Sequence, residues 1–411
     1  MMIILNDITN IIMGQSPESS SYNEDGKGLP FYQGKAEFGA NYPITVKWCS
    51  RPGKIAEKGD VLISVRAPVG PTNICQERIC IGRGLAAVRP LGGMQTQYLR
   101  YWLSTKQQEL EAKSTGTTFK AILGETLRSL KMNLFSLPEQ KRILAKIESL
   151  FSRLDSAKDS FVRVRAEIKR YRQSVLKWAF EGKLTDIHLK DSKLGTLVEI
   201  NIRNHIKDKV NVGFLPMRLI EANYSGKHAF EFRKWSEVKS GLTHVKEGDV
   251  LLAKITPCFE NGKSAVVEGV PNGYGAATTE VFAISVDQTV LLSKYLYFFL
   301  RQEKFILEGK KFMTGAVGQK RVPRKYVELL NLPIGSLNEQ KEIVEAIESR
   351  FERTRVLENT VNQGLGQIDR LKQSILKKAF KGKLVESNPN DEPVEVLLER
   401  IKKEKTKLNK I

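Results

Sequence analysis

The most regular pattern of apolar positions in the chain lies between residues 143 and 178. There, apolar side chains recur at alternating steps of four and three residues, which places them in one stripe along an α-helix, as in a coiled coil. The stripe continues for five heptads and predicts a single long helix whose seam packs against another helix. The seam residues are Ile143, Ile147, Leu150, Leu154, Ala157, Phe161, Val164, Ile168, Tyr171, Val175 and Trp178.

The same helical pattern returns with an offset of 200 residues. The segment LPEQKRILAKIESLF at 137–151 matches LNEQKEIVEAIESRF at 337–351 at 9 of 15 positions, and QSVLKWAFEGKL at 173–184 matches QSILKKAFKGKL at 373–384 at 9 of 12. One element was therefore duplicated and kept while the segments around it diverged. Along the chain, a variable segment, the repeated helix, a second variable segment and the second copy of the helix follow one another.

The second helix is the less regular copy. Gly364 and Gly366 lie within it, and each costs about 1 kcal/mol relative to Ala in a helix interior, so we expect a kink or looser packing there. Both helices are predicted to end at a Gly in the left-handed conformation, Gly182 and Gly382. The second seam comprises Ile343, Ile347, Leu357, Val361, Ile368, Leu371 and Ile375, with Arg350, Thr354, Gly364 and Lys378 at other seam positions.

Connectivity fixes how the two helices run. The first variable segment precedes helix one and the second follows it, so helix two must start from the second segment and return. We therefore predict an antiparallel pair, each helix ~65 Å long at ~1.5 Å per residue, that holds two modules apart around a pseudo-two-fold axis. The alternative is that each helix packs within its own domain.

The two variable segments share a skeleton that predicts one mixed α/β fold used twice. GDVLISVRAP at 59–68 parallels GDVLLAKITP at 248–257, and both read as a turn followed by a buried strand. YLRYWL at 98–103 parallels YLYFFL at 295–300 and predicts a helix, followed in each copy by a Gly-containing, hydroxyl-rich turn. The predicted domains are a first module at 1–136, helix one at 137–185, a second module at 186–336, helix two at 337–385, and a closing helix and tail at 386–411.

Composition adds that the partner is a polyanion. The 411 residues carry 66 Lys and Arg against 46 Asp and Glu, a formal charge of +20. The excess is +5 in residues 1–134, +6 in 135–185, +6 in 186–335 and +3 in 336–411, so the basic surface belongs to several folded segments. Nucleic acid is the partner that this charge favours.

Other classes of protein lack their sequence signals here. No run of ~18 apolar residues predicts a membrane span and the N-terminus has no basic leader, so we expect a cytoplasmic protein without membrane contact. The four cysteines form no Cys-x-x-Cys pair and the four histidines lie far apart, so no metal site is expected. The Gly-rich cofactor turn of an adenine methyltransferase is missing, and Pro257 stands where a P-loop ending at Ser264 needs its first Gly. We therefore expect no catalytic residue.

Two basic modules without catalytic machinery favour a DNA reader. Phosphate contacts from Lys and Arg give affinity, whereas base edges in the grooves give sequence information. Two diverged modules at a rigid spacing would read two different half-sites and leave the base pairs between them unread. The predicted target is a bipartite, asymmetric double-stranded sequence with a fixed gap.

Together these features resemble the specificity subunits of type I restriction-modification enzymes. The resemblance rests on LPEQKRI and LNEQKEI at the helix starts, QSVLKWAFEGKL and QSILKKAFKGKL at their ends, GDVL in each module and the tail DEPVEVLLERIKKE. It implies two target-recognition domains that each read half of a split site, and a spacer of two helices that binds two methyltransferase subunits, joined by restriction subunits. It also implies that this chain holds no cofactor, and that S-adenosylmethionine, ATP and Mg²⁺ belong to the partner subunits.

DNA-contacting residues are expected beside the GDVL strands and in the turns after the module helices. Short hydroxyl and amide groups near Gly approach phosphates closely, while Gln, Lys and Arg reach bases. A solvated surface turn is the alternative at each position. The candidates are Arg66, Thr115, Thr117, Lys120, Lys254, Thr314, Gln319, Lys320 and Arg321.

Rival functions stay open at this point. One is a non-catalytic coiled-coil scaffold that binds only protein, and another is a general double-stranded DNA-binding protein outside restriction-modification. A third is a self-contained enzyme with an unfamiliar site. A salt-dependent DNA shift separates a scaffold from a DNA binder, and incubation of the pure chain with DNA and S-adenosylmethionine tests the enzyme.

Overall fold

The computed structural model describes residues 1–116, 120–316 and 318–408. The chain forms two compact units, one made of Met1–Ser160 with Gly364–Ile411 and the other of Phe161–Gln363. Each unit therefore combines one variable module with part of each long helix.

The first module is a mixed α/β fold. In chain order its elements are β1 (Met2–Ile4), α1 (Leu5–Ile8), β2 (Thr9–Met13), β3 (Tyr22–Asn23), β4 (Leu29–Tyr32), β5 (Lys47–Cys49), β6 (Ile55–Ala56), β7 (Val61–Ser64), β8 (Thr72–Ile74), β9 (Ile79–Ile81), β10 (Leu85–Pro90), α2 (Thr96–Thr105), α3 (Gln107–Ala112), α4 (Gly124–Arg128) and β11 (Lys131–Asn133). The strands form a central sheet of order β2-β10-β7-β8, a second sheet of order β3-β5-β4-β9-β6, and the pair β1-β11.

The second module repeats this plan. After the helix α5 (Leu137–Phe180), its elements are β12 (Lys190–Lys193), β13 (Val198–Ile200), β14 (Asn211–Leu215), β15 (Glu231–Lys234), α6 (Trp235–Val238), β16 (Thr243–Lys246), β17 (Val250–Ala253), β18 (Ser264–Val266), β19 (Tyr274–Ala277), β20 (Val281–Val286), α7 (Ser293–Phe299), α8 (Glu303–Phe312), α9 (Arg324–Glu328) and β21 (Asn331–Ile334). They are followed by the helices α10 (Leu337–Ala379) and α11 (Val394–Leu408).

The two modules share one topology. The central sheet of the second module has the order β13-β20-β17-β18 and matches that of the first strand for strand. In the second sheets, the parallel pair β4 and β9 corresponds to β14 and β19. The prediction of one mixed α/β fold used twice is confirmed. The sheets differ at one edge, because β3 covers β5 in the first module whereas β15, the counterpart of β5, is the outer strand of its sheet.

The repeated GDVL motif forms the same turn and strand in both modules. Gly59 and Gly248 have φ of 92° and 87°, a conformation that L side chains rarely adopt. The next residues, Asp60 and Asp249, are buried, and each accepts a hydrogen bond from the backbone N–H three residues earlier, at 2.8 and 2.9 Å. The following strands β7 and β17 are buried throughout, which is why they read as unbroken apolar runs.

The long helices α5 and α10 begin and end alike. A serine directly before each helix accepts the backbone N–H three residues later through its hydroxyl, at 3.4 Å in both. Gly182 and Gly382 follow the last turns with φ of 71° each, as expected for left-handed helix ends. At the expected irregularity, α10 continues as one helix through Gly364 and Gly366.

Contacts inside each unit establish that the helices run antiparallel. In the first unit, the ring of Phe380 after α10 lies 5.2 Å from that of Tyr98 in the first module. In the second unit, the ring of Phe180 at the end of α5 lies 5.0 Å from that of Tyr295. The start of each helix shares a core with the end of the other. The buried residues are Ile143, Ile147, Leu376, Ala379 and Phe380 in the first unit, and Val175, Leu176, Ala179, Phe180, Ile343 and Ile347 in the second.

The seam differs from the predicted one in several places. The side chains of Val164, Tyr171, Trp178, Leu357 and Leu371 are exposed, so in this structure they are not seam residues. At two of these positions, Tyr171 and Leu371, the next residue along the helix is a basic one that lies over a Phe ring of the other helix. The remaining predicted positions are buried (Ile168, Val361 and Ile368) or half-buried (Leu150, Leu154, Ala157, Phe161 and Ile375).

These two basic residues are Arg172 and Lys372, which are 200 positions apart. The Arg172 guanidinium lies 5.8 Å from the centre of the Phe351 ring, and its Nε donates to Oγ1 of buried Thr354 at 2.8 Å. The Lys372 ammonium lies 5.1 Å from the Phe151 ring centre. A sequence pattern that counts only apolar residues cannot include these positions.

Candidate nucleic-acid interface

In the first module, the turn that follows α3 is hydrogen-bonded to the segment that follows β7. The backbone N–H of Ala67 donates to the carbonyl oxygen of Lys120 at 2.9 Å, and that of Ile122 donates to Val65 at 3.0 Å. Thr115 pairs with the other end of the same turn. The exposed side chains of Arg66, Thr115 and Lys120 therefore belong to one patch of surface, while Thr117 lies outside the described residues.

The second module builds the same arrangement. The N–H of Thr256 donates to the carbonyl oxygen of Lys320 at 2.9 Å, and the N–H of Val322 donates to that of Lys254 at 2.9 Å. Thr314 and Arg321 exchange backbone hydrogen bonds of 3.0 and 2.8 Å. These hydrogen bonds join the segment after β17 to the turn after α8. The structure therefore brings together Lys254, Thr314, Lys320 and Arg321, with exposed Gln319 in the same turn.

Two cations of the second patch already have partners in the protein. Nε and Nη2 of Arg321 donate to the two carboxylate oxygens of Glu280 at 2.8 and 2.7 Å, and these hydrogen bonds lower the pKa of Glu280. The Lys254 ammonium lies 5.3 Å from the centre of the Phe282 ring. These contacts hold the two side chains beside the turn, while the side chains of Lys320 and Gln319 are exposed.

The candidate basic residues beside the strands are not equivalent between modules. Aligning the GDVL motifs places Arg66 opposite Ile255 and Lys254 opposite Val65. The backbone frame is repeated, but the chemistry presented by it is not. Two patches of this kind can make different contacts with the same type of ligand.

Sequence reasoning missed the outer strand β15. Phe232 on this strand is 70% exposed and is flanked by charged residues. The signal that could have found it is the segment EFRK at 231–234, where an aromatic residue lies between charges in a stretch, 203–239, with eight basic and four acidic residues. An exposed aromatic in a basic segment indicates a binding surface.

The long helices also carry exposed apolar side chains on their outer faces. Tyr171 on α5 and Leu371 on α10 are both exposed and occupy matched positions of the repeat. In the second unit, an open groove of about 1360 Å³ lies between the last turns of α5 and the helices α8 and α9. Its lining mixes apolar side chains, such as Phe299 and Phe312, with charged ones, such as Lys177 and Glu308.

Within residues 1–116, 120–316 and 318–408, no group of three or more His, Cys, Asp or Glu side chains is placed to hold a metal ion. No helix in the described part of the chain is both long and apolar enough to cross a membrane.

Similar proteins agree on one family. The chain is 35% identical over 259 residues to the specificity subunit of the type I restriction enzyme EcoAI from Escherichia coli. This match covers 53% of this chain and 44% of that protein. It therefore spans less than half the length of that relative. The EcoBI specificity subunit of Escherichia coli is 23% identical over 98% of this chain and 92% of its own length.

Two solved structures share the fold of this chain. The HsdS subunit from Thermoanaerobacter tengcongensis superposes with a TM-score of 0.52 at 16% identity, covering 93% of this chain and 97% of that one. A chain from a structural study of complex assembly and conformational transition in a type I restriction-modification system gives a TM-score of 0.69 at 16% identity, covering 93% and 98%.

The sequence profile of the family described as type I restriction modification DNA specificity domain matches residues 1–160 and 188–367. These two stretches each contain one module and reach into the long helices. The chain therefore belongs to the type I restriction-modification DNA specificity family.

Proposed function

We propose that this chain is the specificity subunit that directs a type I restriction-modification complex to a bipartite, asymmetric DNA sequence. The observation that carries the proposal is that two modules of one topology present different exposed side chains from the same turn-and-strand frame. One frame used twice gives two readers, and different side chains give two different half-sites. The gap between the half-sites is the DNA that neither module contacts.

The proposal includes no catalytic step in this chain. Methyl transfer needs S-adenosylmethionine, and cleavage with translocation needs ATP and Mg²⁺, all of which we assign to partner subunits. Two methyltransferase subunits would dock on the outer helix faces, and restriction subunits would join through them. We place this complex, with its DNA, in the cytoplasm.

The decisive test is methylome sequencing of cells with and without the gene. We expect one split motif to lose adenine methylation when the gene is deleted. Loss of a continuous motif would contradict the two-reader proposal, and no change in a strain that expresses the chain with its partners would contradict the function itself. Salt-dependent binding of the complex to duplex DNA separates this function from a scaffold that binds only protein.

A module exchange should change one half-site only. Because each module has its own sheets and core, replacing residues 186–336 with those of a relative should alter the half-site read by the second module. Methylome sequencing gives both halves in one experiment. A simultaneous change in both halves would show that the modules do not read independently.

Two copies of one methyltransferase subunit should bind each chain, because the repeat presents equivalent helix faces. We expect Tyr171→Asp and Leu371→Asp each to remove one copy, since an unpaired charge buried in an apolar interface costs several kcal/mol. Native mass measurement of the complex counts the copies. Glu167→Gln on the exposed face of α5 is the control and should keep both; one copy per wild-type chain at saturation would contradict the expectation.

A further inference from the structure

The outer strand β15 of the second module has an open backbone edge. Among residues 1–116, 120–316 and 318–408, its one strand partner is β14, at the end of a sheet of order β15-β14-β19-β16. In the first module the corresponding strand β5 lies between β4 and β3. The two modules therefore differ in what they present at this strand.

Phe232 projects from β15 with 70% of its surface exposed. Its neighbour Phe230 packs against the module core, and the two rings meet edge to face with centres 5.3 Å apart. This contact positions the exposed ring without burying it. A large aromatic held on a rigid strand and left in water favours contact with another molecule.

The charges around Phe232 identify the chemistry of that molecule. Glu231 accepts hydrogen bonds from both Arg218 and Arg233, so one carboxylate orients two guanidinium groups. The arginine side chains stay 68% and 42% exposed. With eight basic and four acidic residues in 203–239, the surface around the strand favours a polyanion.

We propose that β15 is the base-reading strand of the second module. Phe232 contacts an apolar base edge, such as the methyl group of thymine, while Arg218 and Arg233 donate to phosphate oxygens or to a guanine edge. The major groove of B-DNA accepts paired β-strands. β15 and β14 form the antiparallel pair at the open edge of their four-stranded sheet, so β15 is the strand of this sheet that a groove can receive. The inference rests on the proposed function, in which the chain binds duplex DNA.

A protein strand added to the same open edge is the main competing occupant. The net basic charge and the two exposed arginines favour DNA, because strand addition needs backbone groups and side-chain pockets rather than clustered cations. The test therefore measures both DNA discrimination and subunit assembly.

The variants are Phe232→Ala and Arg233→Ala, made in the full chain and assembled with its methyltransferase subunits. Leu307→Ala is the matched control, since Leu307 on α8 is also apolar and 55% exposed. Binding is measured on the wild-type target and on duplexes with single base changes in each half-site. The module exchange described above assigns one half-site to the second module.

We expect each β15 variant to lose roughly 5- to 100-fold discrimination at one or two base pairs of the second module's half-site, with the other half-site unchanged. Leu307→Ala should match the wild type. Unchanged discrimination in both β15 variants overturns the inference while the wild-type complex still reads its split site. Loss of a methyltransferase subunit with DNA discrimination intact also overturns it, because β15 would then bind protein. If the wild-type complex recognises no split site, the proposed function itself fails.

Discussion

The double variant Leu397→Ala/Ile401→Ala is expected to destabilise the first unit by about 4–8 kcal/mol. Both side chains are buried on the inner face of α11 and belong to the core of the first module. Replacing a buried Leu or Ile by Ala typically costs about 2–5 kcal/mol through lost apolar burial and the cavity left behind. The two residues are one turn apart, so their effects need not add fully.

The contacts of α11 explain why substitutions in it should affect the first module, whose contact residues lie 312 and 399 positions earlier in the chain. A Cβ added to Gly92 would lie 2.5 Å from Ile401, so the helix packs directly on the backbone there. Glu404 accepts the N–H of Gly92 at 2.7 Å, and Lys405 donates to the carbonyl oxygen of Asn6. The C-terminal helix thus covers the strand end and first turn of the module that begins the chain.

Urea unfolding followed by circular dichroism, together with limited proteolysis, measures this effect. The exposed Glu399→Ala on the outer face of α11 is the control and should stay within about 0.5 kcal/mol of the wild type. Protease cuts should appear first in the first module of the double variant. Equal stability of the double variant and the control would mean that α11 does not contribute to the module core.

Arg172→Ala is expected to destabilise the second unit by about 2–4 kcal/mol, whereas Lys372→Ala should cost the first unit about 1 kcal/mol or less. The two residues occupy matched positions of the repeat but differ in burial. The Arg172 side chain is 8% exposed and bonds to Thr354 and Glu358, the latter through Nη1 at 2.9 Å. Its removal leaves a cavity beside Phe351 and takes away the hydrogen bond that Arg172 Nε donates to Thr354 Oγ1.

Lys372 makes a more exposed version of the same contact. Its side chain is 25% exposed, and its partner Asp155, at 2.6 Å, is 55% exposed, so solvent screens the pair. Comparing the two alanine variants by chemical denaturation isolates the effect of burial, since both replace a cation that lies over a Phe ring. Equal losses would show that the cation–ring contact dominates. Arg172→Met, which keeps much of the volume, should recover part of the stability because a buried ion pair is often replaceable by apolar packing.

These contacts bear on function through the two units. Each module packs against the start of one long helix and the end of the other, so a change in either helix end alters the support of one module. In the proposed function, a variant such as Arg172→Ala should therefore weaken recognition of the second module's half-site only as far as it unfolds that unit.

The sequence by itself determined the repeated elements of this protein. The two long helices start at the predicted LPEQK and LNEQK motifs and end before the predicted glycines. Helix caps and a heptad pattern lie within one segment of the chain, so they can be recognised without knowledge of the fold. The repeated GDVL turn and strand were also predicted from sequence, since a Gly followed by a short run of apolar residues is a local signal for a turn and a strand. The offset of 200 residues predicted one fold used twice.

Only the tertiary structure decided which side chains face inward and which surfaces are free. Tyr171 and Leu371 fit the heptad pattern but are exposed, whereas the next residues, Arg172 and Lys372, reach across to an aromatic ring on the other helix. The pairing of α11 with the first module is equally invisible in sequence, since it joins segments from opposite ends of the chain. The exposure of Phe232 depends on which neighbour a strand has, and that is set by long-range pairing of strands, not by the local pattern of apolar residues.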